Sequence, residues 1–248
     1  MMGPAALRYL SSAIAAACLA LAATGCTPEP VTTGFAETGE LVALSGGDAG
    51  ARGACHTCHG LQGEGDGNLT PRIAGLDSGY FARQLIFFAD GQRRDVHMSW
   101  IARQLTAEQR IRVAEYYARL EAPVPEARLS VRLDCEPAAA TLYLRGDPER
   151  GIEPCATCHG EDGRGAGRGN PTLVGQPTPY LAQQLRAWRS GERYGDPKNV
   201  MLIPARALAE HEINPLAEYI ARIGDGSGRP GFPAECPAPR RPDPRSGA

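Results

Sequence analysis

The spacing of apolar positions gives this chain helical periodicity in segments that come in pairs. Residues 80–88 and 180–188 carry apolar side chains at helical intervals and stop at Gly91 and Gly191, which predicts two helices ended by glycine. Residues 106–120 open on the capping-type Thr106, followed by Glu108 and Gln109, and set Ile111, Ala114, Tyr117 and Ala118 along one face. Their counterpart is residues 210–223. Short apolar stretches at 41–44 and 142–144 lead into cysteine motifs, and glycine-rich loops follow through Gly63, Gly65 and Gly67 and through Gly163, Gly165 and Gly167. Such loops are incompatible with regular helix. No stretch alternates in the manner of a strand, so the predicted fold class is all-α.

The pairing is an internal repeat. At an offset of 100 residues Cys55-His56-Thr57-Cys58-His59-Gly60 falls on Cys155-Ala156-Thr157-Cys158-His159-Gly160, Pro71 on Pro171, Gly75 on Gly175, Tyr80 on Tyr180, Gln84-Leu85 on Gln184-Leu185, and Arg93 on Arg193. Three residues are then inserted in the second copy, and at an offset of 103 Met98 falls on Met201, Ala102 on Ala205, and Glu115-Tyr116 on Glu218-Tyr219. A unit of about 85 residues thus occurs twice. The expected division is a first domain over 41–122, a linker over 123–134, a second domain over 135–224 and a Pro-rich tail over 225–248.

The repeated chemistry is C-x-x-C-H. Two thiols one helical turn apart can add to the two vinyl groups of one haem, and the histidine that follows then lies beneath the iron. A four-cysteine zinc site would need the two pairs to pool their thiols, yet each pair belongs to its own complete copy. A redox disulfide would not need a histidine after both pairs. Cys55, Cys58 and His59 are therefore expected to hold one haem c, and Cys155, Cys158 and His159 a second. Met1 and Met2 stand in the leader, so Met98 and Met201 are the methionines left to the body, and the repeat aligns them. That alignment favours iron ligation over a plain core role. His97 stands beside Met98, but Val200 is its counterpart. His56 and His211 read as surface residues. Pro71 and Pro171 are placed either to offer a carbonyl to the histidine ring or as plain loop prolines. Arg93 and Arg193 could pair with haem propionates or cap a helix end.

Composition narrows the class. The net charge is −2 with charges finely mixed, which excludes the basic stripe of a nucleic-acid binder, and 42% hydrophobic residues fit a globular body. Residues 1–26 read as an export signal that ends Ala23-Thr24-Gly25-Cys26 and resembles a lipoprotein cleavage box. A lipid on Cys26 would tether the protein through the small polar stretch 27–40. An ordinary cleaved signal or an uncleaved anchor is the alternative. The expected location is the periplasm, where Cys135 and Cys236 could pair as a disulfide or remain free.

With these motifs, together with Gly-x-Arg and Tyr-(x)3-Gln-Leu, the chain resembles the diheme cytochromes of the c-four type, over residues 41–224. The resemblance implies two tandem class I cytochrome c domains around a pseudo-twofold axis, with haem propionate edges facing each other. It also implies His59/Met98 and His159/Met201 as iron ligands, and the carbonyl role for Pro71 and Pro171. It implies single-electron carriage from a quinol-oxidising cytochrome bc-type complex or a dehydrogenase to a terminal oxidase or reductase, without catalysis. The rival classes are a diheme enzyme of the peroxidase or thiosulfate dehydrogenase type, and a fixed haem subunit of a larger complex.

Overall fold

The computed structural model describes residues 38–121 and 137–223. Cys26, Cys135, Cys236, the leader, most of the tether, the linker and the tail lie outside the described residues. The first half runs through α1 (Gly39–Ser45), α2 (His56–His59), α3 (Ser78–Asp90), α4 (Val96–Gln104) and α5 (Ala107–Ala118). The second repeats the order in α6 (Pro137–Arg145), α7 (Ala156–His159), α8 (Thr178–Ser190), α9 (Leu202–Ala207) and α10 (Glu210–Ile223). Among the described residues there is no strand, and isolated bridges alone interrupt the all-α architecture.

Local chemistry explains the element ends. Thr38 accepts the Leu41 N–H at 3.1 Å to start α1, and Asp77 accepts the Tyr80 N–H at 2.7 Å to start α3. The α5 start is a full capping box: Thr106 accepts from Gln109 N–H and Gln109 accepts from Thr106 N–H, each at 3.1 Å. Gly91 (φ 81°) and Gly191 (φ 79°) close α3 and α8 in the left-handed region.

In the first half α3 packs on α4 and α5, and α1 packs on α5; in the second α8 packs on α9 and α10, and α6 packs on α10. The cores are Val42, Ile73, Phe81, Leu85, Leu105, Val113 and Tyr117 in one half. In the other they are Leu142, Tyr143, Ile152, Leu181, Ile213, Leu216 and Ile220. Ile111 corrects the expected apolar face of α5. It is 50% exposed, and Val113, Ala114 and Tyr117 form the buried stripe. The apolar spacing alone did not reveal α4, which interrupts what reads as a loop and carries Met98.

The halves meet on equivalent residues. Arg93 and Arg193 pair as an antiparallel bridge, and Tyr194 N–H donates to the Gln92 carbonyl at 2.9 Å. Identical positions facing each other in antiparallel sense is the mark of a local twofold relation. Gln176 donates to the Arg72 carbonyl at 2.7 Å and Arg83 to the Gly169 carbonyl at 3.2 Å across the same seam.

Candidate functional site

Each C-x-x-C-H motif is a single helical turn, α2 or α7, wedged between the apolar first helix and the glycine-rich loop. The turn brings the two thiols of a pair, three residues apart, to one side and buries the histidine: His59 is 7% exposed and His159 8%. The loop folds back over the ring. His59 Nδ1 lies 2.9 Å from the Pro71 carbonyl and His159 Nδ1 3.1 Å from the Pro171 carbonyl. A carbonyl only accepts, so the proton of each ring sits on Nδ1 and Nε2 is left with a free lone pair. Burial also holds both imidazoles below the ordinary histidine value, against the Pro71 and Pro171 carbonyls, which favour the charged form. A neutral, fixed imidazole is the form that ligates a metal. Of the two readings open for Pro71 and Pro171, the geometry matches the carbonyl one.

Burial likewise pushes the Cys55 and Cys155 thiols up to about 11. They are neutral thiols near pH 7, able to add across a carbon–carbon double bond and poorly suited to act as free thiolate nucleophiles.

Met98 and Met201 are both half-buried, and in each an aspartate takes the methionine's own N–H. Asp95 accepts from His97 at 3.0 Å and from Met98 at 2.9 Å, whereas Asp196 accepts from Met201 at 2.6 Å. One continuous cavity of about 1690 Å³ runs through both halves, lined by Cys55, Cys58, His59 and Met98 and by Cys155, Cys158, His159 and Met201. The structure therefore brings together all eight residues expected from the sequence, in two sets of four.

The donor chemistry of each set fits a haem c: two thiols, one imidazole with a free nitrogen, one thioether and an apolar wall. Among the described residues no group of three or more His, Cys, Asp or Glu could hold a bare metal ion, so the two cysteine pairs do not combine into a zinc site. His97 lines the same cavity but is exposed. His211 is exposed as expected. His56, expected at the surface, is half-buried with Nδ1 3.4 Å from the Ala43 carbonyl. Sequence reading recorded Tyr80, Gln84 and their counterparts only as repeat matches, yet they line the cavity where the halves meet.

Comparison with known proteins agrees with this chemistry. The cytochrome c family matches residues 152–223. A thiosulfate dehydrogenase electron acceptor of Stutzerimonas stutzeri is 41% identical over 192 residues, covering 76% of this chain and 88% of that protein. A cytochrome c4 of Thiocapsa roseopersicina is 32% identical, covering 70% and 89%. Among solved structures, the thiosulfate dehydrogenase TsdBA of Marichromatium purpuratum superposes with a TM-score of 0.63 at 41% identity, covering 75% of this chain. This chain spans 40% of that longer protein.

Proposed function

Because the chain belongs to the diheme class I cytochromes c of the c4 type, which carry covalently bound haem c, we propose that it accepts electrons from a thiosulfate dehydrogenase. On this reading it passes them singly, in the periplasm, towards a terminal oxidase or reductase. When bound, each haem c supplies a one-electron ferric/ferrous couple. His59 and Met98 ligate the first iron and His159 and Met201 the second, which leaves no position for a substrate. The Pro71 and Pro171 carbonyls fix the imidazoles, and Asp95 and Asp196 fix the backbone that presents each thioether. With haem bound, the burial of His59 and His159 would keep water from the histidine side of each iron, one of the protein's means of tuning the couple.

The observation that carries the choice of donor is the set of relatives. One is named an electron acceptor for thiosulfate dehydrogenase, and the solved thiosulfate dehydrogenase contains a stretch like this chain within a longer polypeptide. The chain is an electron-transfer protein, as its relatives are. The enzyme alternative would need an iron with an open position or one that takes a cysteine ligand, and Cys135, the cysteine that precedes the second C-x-x-C-H motif, lies outside the described residues.

The test mixes the oxidised holoprotein with thiosulfate and a catalytic amount of thiosulfate dehydrogenase. The expected result is reduction of both haems at the enzyme's turnover rate, no reduction without the enzyme, and spectra indifferent to carbon monoxide. Oxidation of thiosulfate by the chain alone, or a high-spin haem that binds carbon monoxide, would reverse the assignment to carrier.

A further inference from the structure

The seam between the halves holds two like charges to which no acid is hydrogen-bonded among the described residues. Arg93 and Arg193 are 7% and 5% exposed, and every hydrogen bond of their guanidinium groups goes to a neutral acceptor. Arg93 donates to Gln84 at 3.0 Å, to Tyr180 at 2.8 Å and to Gln184 at 2.8 Å. Arg193 donates to Gln184 at 3.0 Å, to Tyr80 at 3.0 Å and to Gln84 at 2.8 Å. Each guanidinium is therefore held by both halves, with the bonds crossing the twofold. Each also lies over an aromatic face, Phe88 at 4.5 Å and Trp188 at 4.6 Å from the ring centroids.

Neutral acceptors and ring faces do not cancel two buried positive charges. Burial and then the neighbouring Arg93 hold the Arg193 guanidinium below the ordinary arginine value, whereas Arg93, against its burial, is held above it by Tyr180 and Tyr80. The Nε of Arg193 is buried without any partner among the described residues, and both arginines line the cavity that joins the two haem sites. A buried, unpaired cation of this kind needs a counter-anion.

We propose that Arg93 and Arg193 form one shared anion seam that takes the propionate carboxylates of both haems, so that each guanidinium sets the reduction potential of both irons rather than of its own half alone. The proposal rests on the haem reading, not on the identity of the donor. A positive charge near an iron favours the ferrous form. Neutralising either arginine therefore lowers both midpoint potentials, and the crossed bonds are the reason the effect does not stay within one half.

The test is a redox titration of the holoprotein, with the two haems separated by their paramagnetically shifted haem-methyl NMR signals and haem content counted as the pyridine haemochrome. Arg93→Gln and Arg193→Gln are each expected to shift the ferric/ferrous equilibrium of the same-half haem about tenfold, some 59 mV for a one-electron couple, and that of the other haem by about threefold in the same direction. Arg93→Lys, which keeps the charge and loses the fork, recovers most of the shift, as a merely structural role would not. Shifts confined to one haem, or no shift, overturn the shared seam. Should the glutamine variants lose haem, Tyr180→Phe serves instead. It removes one bond to Arg93 from the opposite half and is expected to move the first haem's equilibrium about threefold, whereas an unmoved first haem overturns the proposal. Fewer than two haems in the unaltered protein would sink the haem reading itself, a result distinct from any of these.

Discussion

The two halves present the same proposed iron ligands from differently built cores. In the first, the large buried aromatic is Tyr117 on α5, opposite Ala43 on α1; in the second, the same positions hold Ile220 on α10 and Tyr143 on α6. The ring has changed helices, an isoleucine stands where the first half has its tyrosine, and Tyr117 and Tyr143 are both fully buried. Each also meets the tyrosine the copies share: Tyr116 lies 5.1 Å from Tyr117 and Tyr219 5.5 Å from Tyr143. The difference teaches that the space behind the C-x-x-C-H turn takes one tyrosine ring without specifying which helix supplies it, the neighbouring side chains making up the packing around it.

The methionine loops differ more sharply, and breaking them should have the largest effect. Met98 follows Asp95 directly in the first turn of α4. The three-residue insertion puts Met201 after a tight turn in which Lys198 and Asn199 have φ of 59° and 56°, a left-handed conformation that costs a β-carbon-bearing residue about 1–2 kcal/mol. Met98→Ala and Met201→Ala are each expected to convert one haem of two to a carbon monoxide-binding form, read as stoichiometry by titration. On the proposed ligation the strain makes Met201 the easier of the two methionines to displace, so added imidazole should occupy the second haem at about tenfold lower concentration than the first, the equivalent of 1.4 kcal/mol. Equal occupancy would show that the left-handed turn stores nothing.

A second difference can be probed through the loop glycines. Gly63 and Gly163 both have positive φ, 77° and 74°, so alanine is strained at either. A β-carbon on Gly63 would also meet the Tyr117 ring at 2.8 Å, while one on Gly163 would meet Ile223 at 3.5 Å, ordinary contact. Gly163→Ala should therefore cost about 1–2 kcal/mol. Gly63→Ala should cost about 1–3 kcal/mol more from overpacking. The chain has two tryptophans, Trp100 in one half and Trp188 in the other, so guanidinium unfolding followed by the release of haem-quenched fluorescence reads each half separately once the other tryptophan is phenylalanine.

These contrasts mark what the sequence could disclose. The repeat, both C-x-x-C-H turns, the aligned methionines, the glycine stops and the Thr106 cap were legible because each is a local pattern with a local cause. The seam was not. Tyr80, Gln84 and Arg93 appear in the sequence as a repeated signature, and nothing in either copy says that their partners are Arg193, Gln184 and Tyr180 in the opposite one. The exchange of Ala43 with Tyr143 and of Tyr117 with Ile220 was equally hidden, since each substitution taken alone looks like drift. Ile111 was misjudged because α5 is buried on one narrow stripe, and the apolar spacing could be read one position off it.

The tyrosine exchange itself gives a sharper, smaller test. Tyr143 donates its hydroxyl hydrogen to the Gly160 carbonyl at 2.6 Å, whereas the Tyr117 hydroxyl is buried with no partner among the described residues. Removing a satisfied hydroxyl forfeits its bond and strands the carbonyl, while removing an unsatisfied one relieves a desolvation cost. Tyr143→Phe should thus lower the second half's stability by about 1 kcal/mol, and Tyr117→Phe should leave the first half unchanged or stabilise it. Equal losses in both halves would show that the Tyr117 hydroxyl is satisfied after all.

The smallest expected effect separates the starts of the last helices by pH. At α5 the cap is the neutral pair Thr106 and Gln109, each accepting the other's N–H at 3.1 Å. At α10 the equivalent position is Glu212, which accepts the Ala209 N–H at 2.7 Å and both ends of the Arg150 fork at 2.9 Å. Hydrogen bonding from Arg150 holds the Glu212 carboxyl below the ordinary glutamate value of 4.5, with burial opposing and the Ala209 N–H assisting. A depressed folded-state value contributes stability above the unfolded value of 4.5 that disappears as the pH falls through the folded one. Arg150→Ala should therefore weaken the second half at pH 7 by no more than about 1 kcal/mol, given how exposed the pair is, and the loss should fade as the pH drops from 4.5 through Glu212's depressed value. Thr106→Ala, which removes the acceptor of the Gln109 N–H and leaves the Gln109 contact with Asp48 in place, should weaken the first half by an amount that does not follow that window, because the hydroxyl carries no titrating proton over that range. The Trp188 unfolding midpoint, measured against pH with and without the Arg150 change, decides it, and parallel curves over the whole acid range would mean that the ion pair at α10 is worth no more than the neutral cap at α5.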